Sequence, residues 1–230
     1  MQEAGNGGEE ERSRATSNRC SDCMQEEDME LKWKKVVVEG KKVMLVPYMQ
    51  EHVATYHAWM QDPALLDATA SEPLTLDEEY AMQQSWAEDP LKCTFIILDK
   101  ERILEKFSPG VPHVEAMAGD VNLYMNDLDD FETAEIEIMI AEVCSRGRGL
   151  GKEAVQLMMA FAIDHLKIQR FRAKIGESNG TSLHLFKGLG YEEVGRSLVF
   201  KQVTMEKFIK DQFRDNLKVF AASISVFDCI

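Results

Sequence analysis

Four shortages narrow what this chain can do. Its 230 residues include five cysteines, an odd number scattered from Cys20 to Cys229. Such spacing is no disulfide framework, so a reducing, cytoplasmic setting is expected. Positive charge is scarce: 26 Lys and Arg face 40 Asp and Glu, a formal charge of −14. Binding along a nucleic-acid backbone needs clustered cations, so no nucleic-acid partner is expected, whereas basic or amine-bearing partners suit an acidic surface. No apolar run approaches the roughly 18 to 20 residues of a membrane helix, and the first residues are acids and glycines rather than a basic stretch followed by a hydrophobic one. The chain therefore reads as soluble and intracellular, without a membrane partner. Aromatic residues make up only 8%, yet hydrophobic residues in total reach 45%, enough to bury one substantial core in one domain.

Metal-binding patterns are also missing. Cys20-Ser21-Asp22-Cys23 is a pair without a second half, and His52 and His57 miss the i, i+4 spacing of a helical zinc pair. No metal is expected, and both histidines read as partly exposed helix residues. Cys144 lacks a paired histidine in sequence and reads as a packed thiol rather than a nucleophile. Asn179-Gly180-Thr181 fits a glycosylation sequon, but without a secretory signal it reads as a helix cap. Met158, Met159 and Trp86 read as core residues.

What is present divides into three parts. Residues 1–30 are acidic and nearly devoid of large apolar side chains, the composition of a disordered leader. Residues 31–205 carry the periodic segments of a folded domain. Residues 206–230 form a tail in which Phe208, Phe213, Leu217 and Phe220 suggest an amphipathic helix.

Within the domain, Val36 to Val38 and Val43 to Val46 read as a hairpin or as one strand with a lead-in. Helices follow over His52 to Met60 and, from the capping box Thr75-Leu76-Asp77-Glu78, to about Glu88. Strands are expected over Cys93 to Leu98, Ala116 to Tyr124 and Glu135 to Ala141. From Leu150 the period changes to three and four, placing Ala154, Leu157, Met158, Phe161 and His165 on one helix face. A strand over Phe171 to Ile175, a helix capped by Asn179 and stopped by Gly188 and Gly190, and strands over Tyr191 to Val194 and Val199 to Met205 complete the order. That order, β-α-α-β-β-β-α-β-α-β-β, predicts an α+β fold. Its mixed, mostly antiparallel sheet has about seven strands and about four flanking helices, with a right-handed parallel crossover around Gly149.

At that crossover lies the stretch with most chemical content, Arg146-Gly147-Arg148-Gly149-Leu150-Gly151, between an apolar strand and a helix. Glycines allow a tight turn and close approach, and the first amides of a helix are unpaired donors at the positive end of its dipole. It reads as a phosphate cradle. A Walker loop is ruled out because Gly151-Lys152 is followed by Glu153 and the required first glycine is Arg146. A dinucleotide fingerprint is formally met by Gly149, Gly151 and Ala154, but six residues separate it from its strand and the preceding strands lack helices between them.

The third reading rests on Arg146, Gly149 and Gly151, together with Asn179 and the run Leu185-Phe186-Lys187 to Leu189-Gly190-Tyr191. With these two motifs the chain resembles the GCN5-related N-acetyltransferases, the GNAT superfamily. The segments Gly40 to Tyr48, Ala70 to Leu76, Gly119 to Leu123 and Glu135 to Glu142 further resemble the N-acetyltransferase 9-like family, over about Gly40 to Met205. The resemblance implies a GNAT fold and acetyl-CoA as co-substrate. It implies an acceptor that is a protein N-terminus or lysine, with tubulin or microtubules as the implied partner. It also implies that backbone around Met139, Ile140 and Ala141 serves the pantetheine arm, that Gly147 to Gly151, with Arg146 and Arg148, holds the pyrophosphate, and that Asn179, Ser182 and Phe186 line the coenzyme site. Phe186 stands where many members carry a tyrosine that protonates the departing thiolate.

Acetyl transfer to an amine needs a group that removes the ammonium proton. Glu135 and Glu137 alternate with Ile136 and Ile138, so their carboxylates share one strand face. Either serves as base or amine recognition, with Glu135 marginally preferred, or both are simply solvated. Two functions stay open: direct acetyl transfer in a ternary complex, or a microtubule-associated binding protein of this fold with weak catalysis.

Overall fold

The computed structural model describes residues 33, 35–209 and 224–226. The acidic leader over 1–30, its cysteine pair and residues 210–223 of the tail lie outside the described residues. The strands are β1 (Val36–Glu39), β2 (Val43–Pro47), β3 (Lys92–Asp99), β4 (Met117–Tyr124), β5 (Thr133–Ile140), β6 (Arg170–Gly176), β7 (Glu192–Ser197), β8 (Gln202–Phe208) and β9 (Ile224–Val226). The helices are α1 (Val53–Trp59), α2 (Pro63–Thr69), α3 (Leu76–Glu88), α4 (Leu150–Phe161) and α5 (Gly180–Gly188). Together the strands form one sheet in the order β7-β8-β6-β5-β4-β3-β2-β1-β9.

This is the expected mixed α+β sheet with two further strands. The Val36 to Val46 segment resolves into a hairpin, β1 against β2, because Glu39-Gly40-Lys41-Lys42 turns the chain. The second addition is β9, antiparallel to β1, so this part of the tail is extended rather than helical. Phe208 likewise belongs to β8. An unforeseen helix, α2, begins where Asp62 accepts from the amide of Ala64 and Pro63 takes the first helical position, a start signal present in the sequence. The predicted Thr75–Glu78 capping box opens α3 as expected. Val199 is not in a strand: Leu198, Val199 and Phe200 form the exposed tip of the β7–β8 hairpin.

Both faces of the sheet are covered, which is why every residue of β3 is buried. On one face α4 lays Ala154, Leu157, Met158 and Phe161 against Leu45, Phe95, Ile97, Leu123 and Ile136, with Phe161 edge-on to Phe95 at 5.4 Å. Each large side chain so buried contributes about 1.5–3 kcal/mol. On the other face α1, α2 and α3 cover Met44, Val46, Ile96, Leu98 and Met139 with Val53, Tyr56, Trp59 and Leu65. His52, expected partly exposed, is buried here: it accepts from the Met49 amide and its Nε2 lies 2.7 Å from the Pro112 carbonyl.

The sheet divides at one place. β5 and β6 run parallel, but only Thr133, Ala134 and Glu135 are in register with Arg170, Phe171 and Arg172. Beyond them β5 stays with β4 to Ile140, and β6 stays with β8 to Gly176. The two strands therefore open as a V.

Close packing of β4 on β5 at the far end depends on Gly119. A Cβ there would fall inside the van der Waals shell of the Met139 carbonyl, and Ala141 and Glu142 both donate to the Ala118 carbonyl beside it, the mark of a bulge. Gly119→Ala is expected to cost about 3 kcal/mol or more, since backbone rather than a flexible side chain must yield. Urea unfolding measures it, and a loss below 1 kcal/mol would contradict this geometry.

Candidate active site

The opening between β5 and β6 is a cleft of about 1070 Å³. Its floor follows from register. Across β3, β4 and β5, Lys92 faces Tyr124, which faces Glu135. Thr94 faces Asn122, which faces Glu137, and Ile96 faces Asp120, which faces Met139. Since side chains two apart share a face, these rows set Lys92, Thr94, Asp120, Asn122, Tyr124, Glu135 and Glu137 together on the side covered by α1, α2 and α3. Ala68 to Ser71, Trp86 and, across the V, Lys174, Ser182, Phe186 and Phe200 complete the walls.

The polar floor is connected. Thr94 donates to Asn122 at 2.7 Å, and Asn122 donates to Asp120 at 2.6 Å. The Tyr56 hydroxyl lies 3.5 Å from the same Asp120 oxygen. Asp120 is 2% exposed, and burial raises its pKa to about 6 against the donated bonds and the charge of Lys92. Glu137 reaches solvent through the cleft mouth, yet desolvation first and Glu135 second raise its pKa, while a bond from Tyr124 and the charges of Lys92 and Lys174 oppose the shift. Glu135 differs: its carboxylate sits 2.6 Å from the Lys174 ammonium. Of the two strand carboxylates, Glu137 is the one without an ion pair among the described residues.

The glycine-rich loop follows the C-terminal end of β5, at the open end of the V. Gly149 has φ 86° and Gly147 φ 70°, conformations that exact a cost from any side chain. The first intrahelical bond of α4 runs from Glu153 to Gly149, so the amides of Leu150, Gly151 and Lys152 precede the ladder. A Cβ on Gly151 would rest 3.4 Å from Ile140, which places this helix start against the end of the V. Alternation of the β4–β5 ladder turns the peptide groups of Ile138 and Ile140 toward β6, whereas the amides of Ala141 and Glu142 are taken by Ala118. Backbone donors at the opening are therefore those of Ile138 and Ile140 rather than a run through Ala141.

Both loop arginines have protein partners. Arg146 donates to the carbonyls of Ile140 and Ala141 at 2.8 Å, stitching loop to strand end. Arg148 pairs with Asp99 and Glu101, and Ser145 donates to Asp99 at 2.8 Å. Glu153, in the first turn of α4, accepts from the amides of Lys41 and Lys42 in the β1–β2 turn, and the Lys42 ammonium bonds the Arg148 carbonyl at 2.7 Å. Both arginines are thus engaged by the protein, and the amides of Leu150 to Lys152 are the loop's donors outside the helical ladder. Asn179 caps α5 through the Ser182 amide at 3.0 Å. Phe186 is buried edge-on to Tyr191, whose hydroxyl is turned away to Met159. Cys144 is exposed, not packed.

Sequence reasoning missed Asp120, Asn122, Lys92, Tyr124 and Tyr56. The alternation Gly119-Asp120-Val121-Asn122-Leu123-Tyr124 marked a polar strand face, but only the three-strand register shows what it meets. Trp86, read as core, is a half-buried cleft wall with the Lys92 ammonium 2.9 Å from its ring centre.

Comparisons agree with this architecture. Residues 42–192 match the family model described as an acetyltransferase (GNAT) domain. An N-acetyltransferase 9-like protein of Nematostella vectensis is 54% identical over 178 residues, 77% of this chain and 88% of that protein. An alpha/beta-tubulin-N-acetyltransferase 9 of Homo sapiens is 49% identical over 173 residues, 75% of this chain and 83% of that one. Among solved structures, spermidine N-acetyltransferase from Vibrio cholerae in complex with CoA and spermine superposes with a TM-score of 0.60 at 16% identity, covering 74% of this chain and 96% of that one.

The buried acid yields a stability prediction. Asp120 has a folded pKa of about 6 against an ordinary 3.8, so the folded chain holds this proton more tightly and its stability falls as pH climbs through that interval. Asp120→Asn should then be more stable than wild type at pH 7.5, by on the order of 2 kcal/mol, with the gain vanishing toward pH 4. Thermal melts across pH test this; a variant less stable at pH 7.5 would refute it.

Proposed function

The chain belongs to the GNAT acetyltransferase family and is an N-acetyltransferase, and from that premise we propose that it moves the acetyl group of acetyl-CoA directly to a protein amine, the N-terminus of a tubulin chain. One observation carries the reading: the V between β5 and β6 joins a helix start with unpaired amides to a floor of carboxylates. An anionic coenzyme fits the first and a cationic acceptor the second. The tubulin assignment draws on the human relative's name and on the chain's 49% identity to it.

In this reading the amides of Leu150 to Lys152 hold the pyrophosphate, with Gly147 and Gly149 giving the close approach. Those of Ile138 and Ile140 face the pantetheine arm and the thioester. The acceptor ammonium enters on the α1–α3 side, drawn by Asp120 and Glu137. Glu137 takes one proton, directly or through a water, freeing the lone pair to attack the thioester carbon. The carbon–nitrogen bond forms, the carbon–sulfur bond breaks, the thiolate leaves, and the nitrogen gives its second surplus proton to solvent. Phe186 has no proton to give and the Tyr191 hydroxyl is buried among apolar groups, so the thiolate takes its proton from solvent. Glu135, paired with Lys174, orders the cleft wall.

Titration calorimetry with acetyl-CoA tests the coenzyme site. Wild type should bind, and Gly149→Glu should not, because a carboxylate at a left-handed position meets both backbone strain and like charge. Thiol release with peptides then tests the acceptor. Glu137→Gln should lower kcat by about 10²- to 10⁴-fold while leaving acetyl-CoA affinity unchanged. A peptide with a blocked α-amine and a free lysine should react far more slowly than one with a free α-amine. Equal rates on the two peptides would overturn the N-terminal assignment.

A further inference from the structure

Lys92 is the least expected residue of the cleft. It begins β3, is 4% exposed, and carries its ammonium behind the wall made by Trp86 and Tyr124. The ammonium lies 2.9 Å from the Trp86 ring centre and 4.5 Å from that of Tyr124, and it donates to the Tyr124 hydroxyl at 3.0 Å. The fold has no need of this charge. A methionine would fill the same stem volume without desolvating an ammonium, and buried charges are often replaceable by apolar side chains with no loss of stability. The α3 and β4 aromatics therefore hold a cation whose value lies elsewhere.

Its direction points to Glu137. The ammonium gives a hydrogen to the Tyr124 oxygen at 3.0 Å, and the Tyr124 hydroxyl favours the charged form of the nearby Glu137 carboxylate. A phenol that receives from a cation is a stronger donor, so the Lys92 charge strengthens what Tyr124 offers that carboxylate. We propose that Lys92 is a positioning residue for acetyl transfer: through Tyr124 it fixes the Glu137 carboxylate in the cleft and, as a resident cation, keeps that carboxylate ionised and ready to accept the acceptor's proton. The inference rests on Glu137 being the base.

Around Lys92 stand Asp89 after α3, Asp120 on β4 and Glu137 on β5, all of which favour its charged form. Around Glu137 stand Glu135, which opposes its ionisation, and Lys92 and Lys174, which favour it. Asp120 senses Glu137 and Lys92 in opposite directions. Burial outweighs the carboxylates at Lys92 and lowers its pKa to about 7, so it is charged where Glu137 most needs help and neutral once the medium itself keeps Glu137 ionised.

The pH profile of kcat/KM for acetyl transfer separates this role from mere packing. Lys92→Met should move the acid limb to higher pH by about one unit, the size expected for losing one nearby opposite charge. Its rates should rejoin those of wild type above about pH 8, where Lys92 is itself neutral. Tyr124→Phe keeps the cation and cuts the link, and should move the limb the same way; it carries the test if Lys92→Met does not fold. Melting temperature should be unchanged or higher in Lys92→Met. An acid limb that stays in place in the folded variants, with only a uniform drop in rate, overturns the positioning role. Glu137→Gln run alongside keeps the two ideas apart: wild-type turnover in that variant sinks the base assignment, whereas its loss together with an unmoved limb sinks the Lys92 role alone.

Discussion

Everything at the candidate site depends on the parallel ladder between β5 and β6 ending after three residue pairs. Each strand keeps a full partner on its other side, β4 for β5 and β8 for β6, so the separation costs no hydrogen bonds there. The opening exposes the peptide groups of Ile138 and Ile140 without requiring an edge strand that another chain could join. It also connects the two covered faces of the sheet. The face under α4 contributes the helix start, and the face under α1, α2 and α3 contributes the carboxylates. A ligand lying through the V reaches both chemistries.

The glycine-rich loop is held from outside its own sequence. Asp99, at the end of β3, receives both Ser145 and Arg148 from the loop. Glu153 receives the amides of the β1–β2 turn, where Gly40 leaves room that a side chain would deny to that carboxylate. An acid in the first turn of α4 also complements the helix dipole. Acids thus fix the frame on the protein side, and the amides at the start of α4 stay outside that frame.

Much of this was legible in the sequence because short-range rules govern it. The change of period at Leu150, the Thr75 and Asn179 caps and the glycine loop are each local, and each appears where the residues put it. The different surroundings of Glu135 and Glu137 were not legible, for another reason. Glu135 and Glu137 are equivalent by alternation, and what separates them is Lys174, nearly forty residues later, brought alongside by the crossover. Asp120, Lys92 and Tyr124 were illegible for the same reason: their meaning arises only when three strands come into register. The arginines illustrate a third limit. A positive side chain beside a glycine loop invites pairing with phosphate, but Asp99, Glu101 and two carbonyls compete for it, and sequence does not show competitors that approach from other strands.

The bonds from Lys41 and Lys42 to Glu153, and the pairing of β6 with β8 as far as Phe208, set where this protein can be cut. The family model begins at residue 42 and ends at 192, yet the carboxylate that anchors α4 is capped by an amide one residue before that start, and β8 lies wholly beyond that end. A fragment trimmed to the recognisable segment would leave the outer edge of β6 bare and its share of the V unsupported. For this fold the segment that reveals kinship is smaller than the segment that stands alone, and an expression fragment meant to keep the cleft intact needs both the β1–β2 hairpin and β8.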